Sequence, residues 1–296
     1  MSSESSLRAD IVEVGRRMYA RGYTASNDGN ISVRLGADRL LMTPKSVCKG
    51  FMTPDMMCIT DLDGRKLQGD RDPSSEMLMH LEVYRQRPDA RAVVHAHPPT
   101  ATGFAVAGIP LDRAVLAEVL TTLGSIPIAA YATPSTKELP DAVRKYIKAH
   151  DGMLLANHGA LTVGGDLFGA YYKMETIEHF AKISLVARML GRENLLSREE
   201  VMRLQELRGS YGIKAPAPIC APGSDPNSGS SGSDPNSGSD PESASCQTVQ
   251  APAGAGTRLV PDIITGASKS PAGSEEIRLT YAELSALIED AVRNLR

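Results

Sequence analysis

Polar and apolar residues change their spacing along this chain in a way that separates two kinds of element. Leu7, Ile11, Val14 and Met18 recur at three- and four-residue intervals, which is the spacing of one face of a helix. Ile31–Leu35 and Leu40–Met42 read as paired strands, and Met56–Thr60, Ala92–His95, Ile126–Ala130 and Met153–Ala156 supply further short apolar runs. Helical spacing returns over Ser75–Gln86, where Met77, Leu78, Leu81 and Tyr84 share a face, and again over Thr136–His150 and Asp166–Leu190. Strands interleaved with helices predict a layered α/β domain in which helices cover a sheet.

The pattern stops at about Lys214. From 215 to 274 Gly, Ser, Pro, Asp and Ala dominate, and Gly-Ser-Asp-Pro-Asn-Ser-Gly-Ser occurs at 223–230 and again at 232–239. Such a segment has too little apolar surface to offset its chain entropy, so a disordered linker is expected, with a root-mean-square reach of ~45 Å at roughly 5–6 Å times the square root of its length. Periodicity resumes over 275–296. Thr280 and Glu283 form a capping box, Leu279 can staple onto Leu284, and Tyr281, Leu284, Ile288, Ala291 and Leu295 make an apolar stripe. A helix this short is marginal by itself, so the stripe requires a partner: its own domain, a second copy, or another protein.

With 296 residues and ordinary hydrophobic content the chain can bury a sizeable core. A net charge of −3 gives no electrostatic case for nucleic acid or an anionic membrane surface. The first twenty residues lack the apolar run of a secretion signal, and no apolar segment reaches bilayer length. Cys48, Cys58, Cys220 and Cys246 show neither metal-type spacing nor disulfide-scaffold density, so a reducing, cytoplasmic setting is expected.

The chemistry concentrates in His95-Ala96-His97 and Asn157-His158-Gly159, which hold half of the chain's six histidines. Residues two apart on a strand point to one side, so His95 and His97 can converge, and His158 lies just past another strand. Three imidazoles meeting at strand ends would leave an open coordination position, as a catalytic zinc requires. A solitary strand-end histidine is more often a satisfied polar residue; the H-x-H pair and Glu76 at the start of a helix shift the balance toward metal. Taken alone, Glu76 is an ordinary first-turn acid, whereas beside three histidines it becomes a candidate acid/base or fourth ligand.

These residues carry a family likeness. Ala25-Ser26-Asn27-Asp28-Gly29-Asn30-Ile31-Ser32-Val33-Arg34, Thr43-Pro44-Lys45-Ser46-Val47-Cys48-Lys49-Gly50, Ser74-Ser75-Glu76, His95-Ala96-His97, Pro127 through Pro134 and Asn157-His158-Gly159 resemble, in order and spacing, the class II aldolase/adducin-like family, and within it the L-fuculose-phosphate aldolases. The resemblance spans Ser6 to Tyr211. It implies a single three-layer α/β/α domain with a mostly antiparallel sheet, a homotetramer, and one zinc per subunit held by His95, His97 and His158. It implies further that Glu76 moves protons, that Asn27, Gly29, Asn30, Ser46, Ser74 and Ser75 bind the phosphate of a sugar phosphate, and that Tyr211 closes over the site. The reaction so implied is cleavage of L-fuculose 1-phosphate or a related ketose 1-phosphate to dihydroxyacetone phosphate and L-lactaldehyde or a related aldehyde.

Three departures matter. The family often carries Thr or Ser at Asn27 and Gly at Ser46, and its proton-donating tyrosine is absent from Arg113–Leu120, where Glu118 is the one acid. Pentulose-phosphate epimerases and sugar-phosphate dehydratases share the histidine set with other proton-transfer groups and stay open on this ground. A non-catalytic adducin-like domain would lose the ligands that stand here. The linker and terminal helix resemble the encapsulation peptides that take enzymes into bacterial microcompartments, which implies a shell protein as partner and a compartment lumen as location.

Overall fold

A computed structural model describes residues 3–210. Tyr211, the linker at 215–274 and the amphipathic segment at 275–296 lie outside them. An eight-stranded sheet runs in the order β4-β3-β2-β1-β5-β8-β7-β6. Its strands are β1 (Asn30–Arg34), β2 (Arg39–Met42), β3 (Cys58–Asp61), β4 (Lys66–Gln68), β5 (Ala92–Ala96), β6 (Ile128–Ala129), β7 (Gly152–Leu155) and β8 (Gly159–Gly164). The pairings are antiparallel except that of β6 with β7.

Alternation along the strands creates two cores. Ile31, Val33, Ala92, Val94 and Ala160 enter one, packed beneath helices α1 (Glu4–Ala20), α3 (Pro99–Val106) and α6 (Leu167–Met189). Leu40, Val93, Met153, Leu155, Leu161 and Val163 enter the other, beneath α2 (Met77–Gln86) and α5 (Glu138–Ile147). Helices on both faces give the α/β/α sandwich that the resemblance implies. Two further helices, α4 (Ala117–Thr122) and α7 (Arg198–Ser210), meet through Leu120 and Val201 beside the first core. No helix among the described residues is long and apolar enough to cross a membrane.

Several elements differ from the sequence reading. The run at Met56–Thr60 is a single helical turn at Pro54–Met56 followed by a strand that starts at Cys58, because Pro54 fixes a turn-type φ. Ile126–Ala130 shortens to a two-residue strand, with Ile126 instead bridging Leu111. The helix expected from Ser75 begins at Met77, which makes Glu76 its N-cap rather than a first-turn residue. β4, β8, α3, α4 and α7 are additions. β4 is exposed throughout and so shows no apolar signal. β8 is buried throughout and therefore lacks alternation.

β5 lies between β1 and β8, so the strand bearing His95 is paired on both edges. His95 sits opposite Asn30 on β1 and Leu161 on β8. Beyond His97, the Glu178 carboxylate on α6 accepts from Thr100 N at 3.1 Å and Ala101 N at 2.8 Å, which caps α3 and fixes the chain's exit from the strand.

Candidate metal centre

Period-two alternation places His95 on the α2 side of the sheet with Val93, and His97 follows where the strand ends. β7 ends at Leu155, and the turn into β8 carries His158 back toward them. Asn157 makes that turn with φ 55°, in the left-handed region. Gly159 is required by packing: a Cβ there would meet Ala96 O at 2.5 Å and His97 Cδ2 at 2.6 Å. Only glycine lets β8 pass this close to the histidine pair.

The three rings then face one another, with centroids 4.7 to 5.0 Å apart. One donor nitrogen from each lies within 4.8 Å of the others. Nε2 of His95 and Nε2 of His97 are 3.1 Å apart. Two nitrogens at tetrahedral zinc distance from one ion would stand about 3.3 Å apart, so the arrangement fits such an ion. Orientation comes from outside the trio. His95 Nδ1 donates to Ala160 O at 2.9 Å, which turns the lone pair of Nε2 inward, and His97 Nδ1 lies 3.4 Å from Asp28 Oδ2.

Glu76 closes the arrangement. Its Oε1 is 3.1 Å from His158 Nε2 and its Oε2 is 3.3 Å from His95 Nε2. Burial opposes ionisation of this carboxyl, but the imidazoles of His95 and His158 outweigh it and hold the group well below the usual carboxylate range. Burial would push His95 down, yet Glu76 draws it above its ordinary value. His97 is pushed down to about 4 by burial and by repulsion from the other two rings. Glu76 thus stands as an ionised carboxylate directly beside two of the three candidate ligands.

A cleft of 460 Å³ opens over these groups. Asn27, Gly29, Asn30, Ser46, Ser74 and Ser75 all line it, so every residue expected at the phosphate borders it. Gly29 has φ 71° and lies against the His95 carbonyl, where a Cβ would come within 2.9 Å. Ser46 has φ 57°, a conformation glycine adopts without strain, which accounts physically for the family's usual residue there. The side chain of Asn30 is engaged elsewhere: its Nδ2 donates to Glu76 Oε2 at 2.8 Å, and its Oδ1 lies 2.5 Å from His80 Nε2.

Two residues in this setting escaped the sequence reading. Lys49 is 1% exposed, and its Nζ donates to Val47 O at 2.7 Å and Asn27 O at 3.1 Å, which joins the two loops of the cleft wall. Burial pushes its ammonium down to about 8. His80 lies one helical turn after Glu76, a spacing that could have drawn notice. Glu118 is exposed on α4 and lines a separate 790 Å³ cleft with Tyr23 and His179, away from the trio.

The chain is similar to several known proteins. The chain is 32% identical over 190 residues, 63% of its length and 87% of the other's, to a 3-oxo-tetronate 4-phosphate decarboxylase from Pectobacterium atrosepticum. It is 35% identical over 190 residues, 64% of this chain and 89% of the other, to a 5-deoxy-D-ribulose 1-phosphate aldolase from Bacillus thuringiensis. A solved L-fuculose 1-phosphate aldolase superposes with a TM-score of 0.65 at 31% identity, covering 70% of this chain and 97% of that one. Residues 9–185 match the Class II Aldolase and Adducin N-terminal domain, and the chain belongs to that family.

Proposed function

We propose that this protein is a zinc-dependent class II aldolase that cleaves L-fuculose 1-phosphate, or a related ketose 1-phosphate, to dihydroxyacetone phosphate and a short aldehyde. One observation carries the reading: three imidazole nitrogens meet beside an ionised, half-buried carboxylate in a polar cleft. His95, His97 and His158 would hold the ion, whose Lewis acidity would favour charge on the substrate oxygens. Glu76 takes the proton of the hydroxyl on the far side of the scissile bond. That carbon–carbon bond breaks as the new aldehyde carbonyl forms, and its electron pair passes to the ketone fragment. Glu76 then returns the proton to the carbon of that fragment, which yields dihydroxyacetone phosphate. A single carboxylate serving both transfers accounts for a chain without the family's tyrosine at 113–120.

The decarboxylase relative supports a second reading, since loss of carbon dioxide from a 3-oxo acid also leaves an electron pair beside a carbonyl. Turnover of L-fuculose 1-phosphate, 5-deoxy-D-ribulose 1-phosphate, 3-oxo-tetronate 4-phosphate and L-ribulose 5-phosphate by zinc-loaded protein separates the readings. We expect the two ketose 1-phosphates to give the highest kcat/KM. Preferential release of carbon dioxide, or epimerisation without cleavage, would overturn the aldolase reading. Family likeness supports a homotetramer, and the 275–296 segment supports a role as microcompartment cargo docked to a shell protein.

Lys49 gives the phosphate wall a pH dependence. Its ammonium is present below about pH 8 and lost above it, so KM for a phosphorylated substrate should rise several-fold between pH 7 and 9.5. Stability moves the other way. Between the depressed folded value and the ordinary lysine value the unfolded chain holds a proton that the folded chain has released, so this group's contribution to stability rises with pH in that window. KM against pH for wild type and Lys49→Met is the check: the variant should show a high, flat KM, and a flat wild-type profile through pH 8 would exclude the role.

A further inference from the structure

Glu76 is held by more than the histidines. Its Oε2 accepts from Asn30 Nδ2, while its buried Oε1 faces His158 Nε2 at 3.1 Å. Behind Asn30 stands a file of polar groups in an otherwise apolar region. Asn30 Oδ1 is 2.5 Å from His80 Nε2, His80 Nδ1 is 2.7 Å from Ser32 Oγ, and Ser32 Oγ is 2.9 Å from the Tyr84 hydroxyl. His80 and Ser32 are completely buried and Tyr84 is nearly so. The far end is fixed by Arg34, whose guanidinium lies 4.8 Å from the Tyr84 ring centroid and donates to the Tyr84 carbonyl at 3.0 Å.

Donor counting gives this file one direction. A carboxylate only accepts, so Asn30 must turn its NH2 toward Glu76. Its carbonyl oxygen then faces His80, which must carry hydrogen on Nε2. A neutral imidazole has one N–H, and burial pushes His80 down to about 3, so Nδ1 is left as an acceptor for the Ser32 hydroxyl. Ser32 Oγ in turn accepts from Tyr84. The reverse order would set the Asn30 oxygen against the Glu76 carboxylate.

We propose that His80 is a positioning residue for Glu76: acting through Asn30, it holds a permanent donor on Oε2 and so fixes the carboxylate in the orientation its proton transfer requires. This rests on the reading of Glu76 as the proton-transfer carboxylate. A residue that merely filled space would affect folding, zinc content and KM together. A positioning residue affects kcat selectively, because an outer partner that misdirects a reacting group costs about 10–100-fold.

The test compares His80→Leu with His80→Gln, whose amide can still donate to Asn30, in zinc-loaded protein assayed beside wild type and Glu76→Gln. We expect His80→Leu to lose about 10–100-fold in kcat with KM, zinc content and CD spectrum unchanged, and His80→Gln to recover most of it. Nitrogen-15 NMR of the histidine rings in metal-free wild type should show His80 as the Nε2–H tautomer from pH 5 to 9. The proposal is overturned if His80→Leu keeps wild-type kcat, if both variants lose kcat only in step with zinc or KM, or if the ring carries its proton on Nδ1. Full activity of Glu76→Gln would overturn the proposal by removing the reading on which it rests, and an Nε2–H tautomer in that case would locate the error in the function of Glu76 rather than in the arrangement.

Discussion

His97→Ala should empty the site of zinc and abolish turnover together. His97 is one of three convergent donors, and the chain supplies no spare imidazole at this place: among the described residues the metal-type cluster consists of His95, His97 and His158. Two remaining imidazoles leave the ion one nitrogen short of its three-histidine set. Zinc measured by atomic emission after dialysis should fall from about one per chain to near background. Loss of the ion removes several kcal/mol of charge stabilisation, so turnover should drop by at least about a thousandfold at roughly 1.4 kcal/mol per decade. The fold should persist, since His97 lies beyond the end of β5 and is only partly buried. A far-ultraviolet CD spectrum matching wild type would confirm that the loss is local. An unchanged zinc content in this variant would refute the three-histidine site.

Glu76→Gln should separate chemistry from metal binding. The substitution preserves shape and removes the charge and the proton-accepting oxygen pair. With the three imidazoles intact, zinc content should stay near one per chain. Positioned proton transfer contributes about 10²–10⁴-fold, so kcat should fall within that range while KM changes little. Near-wild-type kcat in this variant would show that another group moves the proton.

The histidine pair was legible because strand periodicity alone puts His95 and His97 on one side of an apolar run, and the resemblance supplied His158 and Glu76. The residues expected at a phosphate were legible as a set that borders one cleft. Their individual tasks were not, because Asn30 spends its side chain on Glu76 and His80, a partnership across 46 and 50 positions that no local pattern encodes. Lys49 passed as one member of a conventional run, since a buried cation looks the same in sequence as an exposed one. The helix α3 was missed because its sequence, Pro99–Val106, has no polar face to set a period. α7 was missed for the opposite reason, being polar almost all round.

The three histidines ride on β5 and on the turn that joins β7 to β8, inside one continuous hydrogen-bonded sheet. Their convergence is therefore a property of strand register, and a slip by one residue would turn His95 to the opposite face. Residues along the cleft rim, such as Ser46 and Ser135, belong to turns that carry no such constraint. Selection can then rewrite the rim while the reactive floor stays fixed. That division of labour offers a physical route by which a single scaffold diversifies among phosphorylated substrates without rebuilding its chemistry.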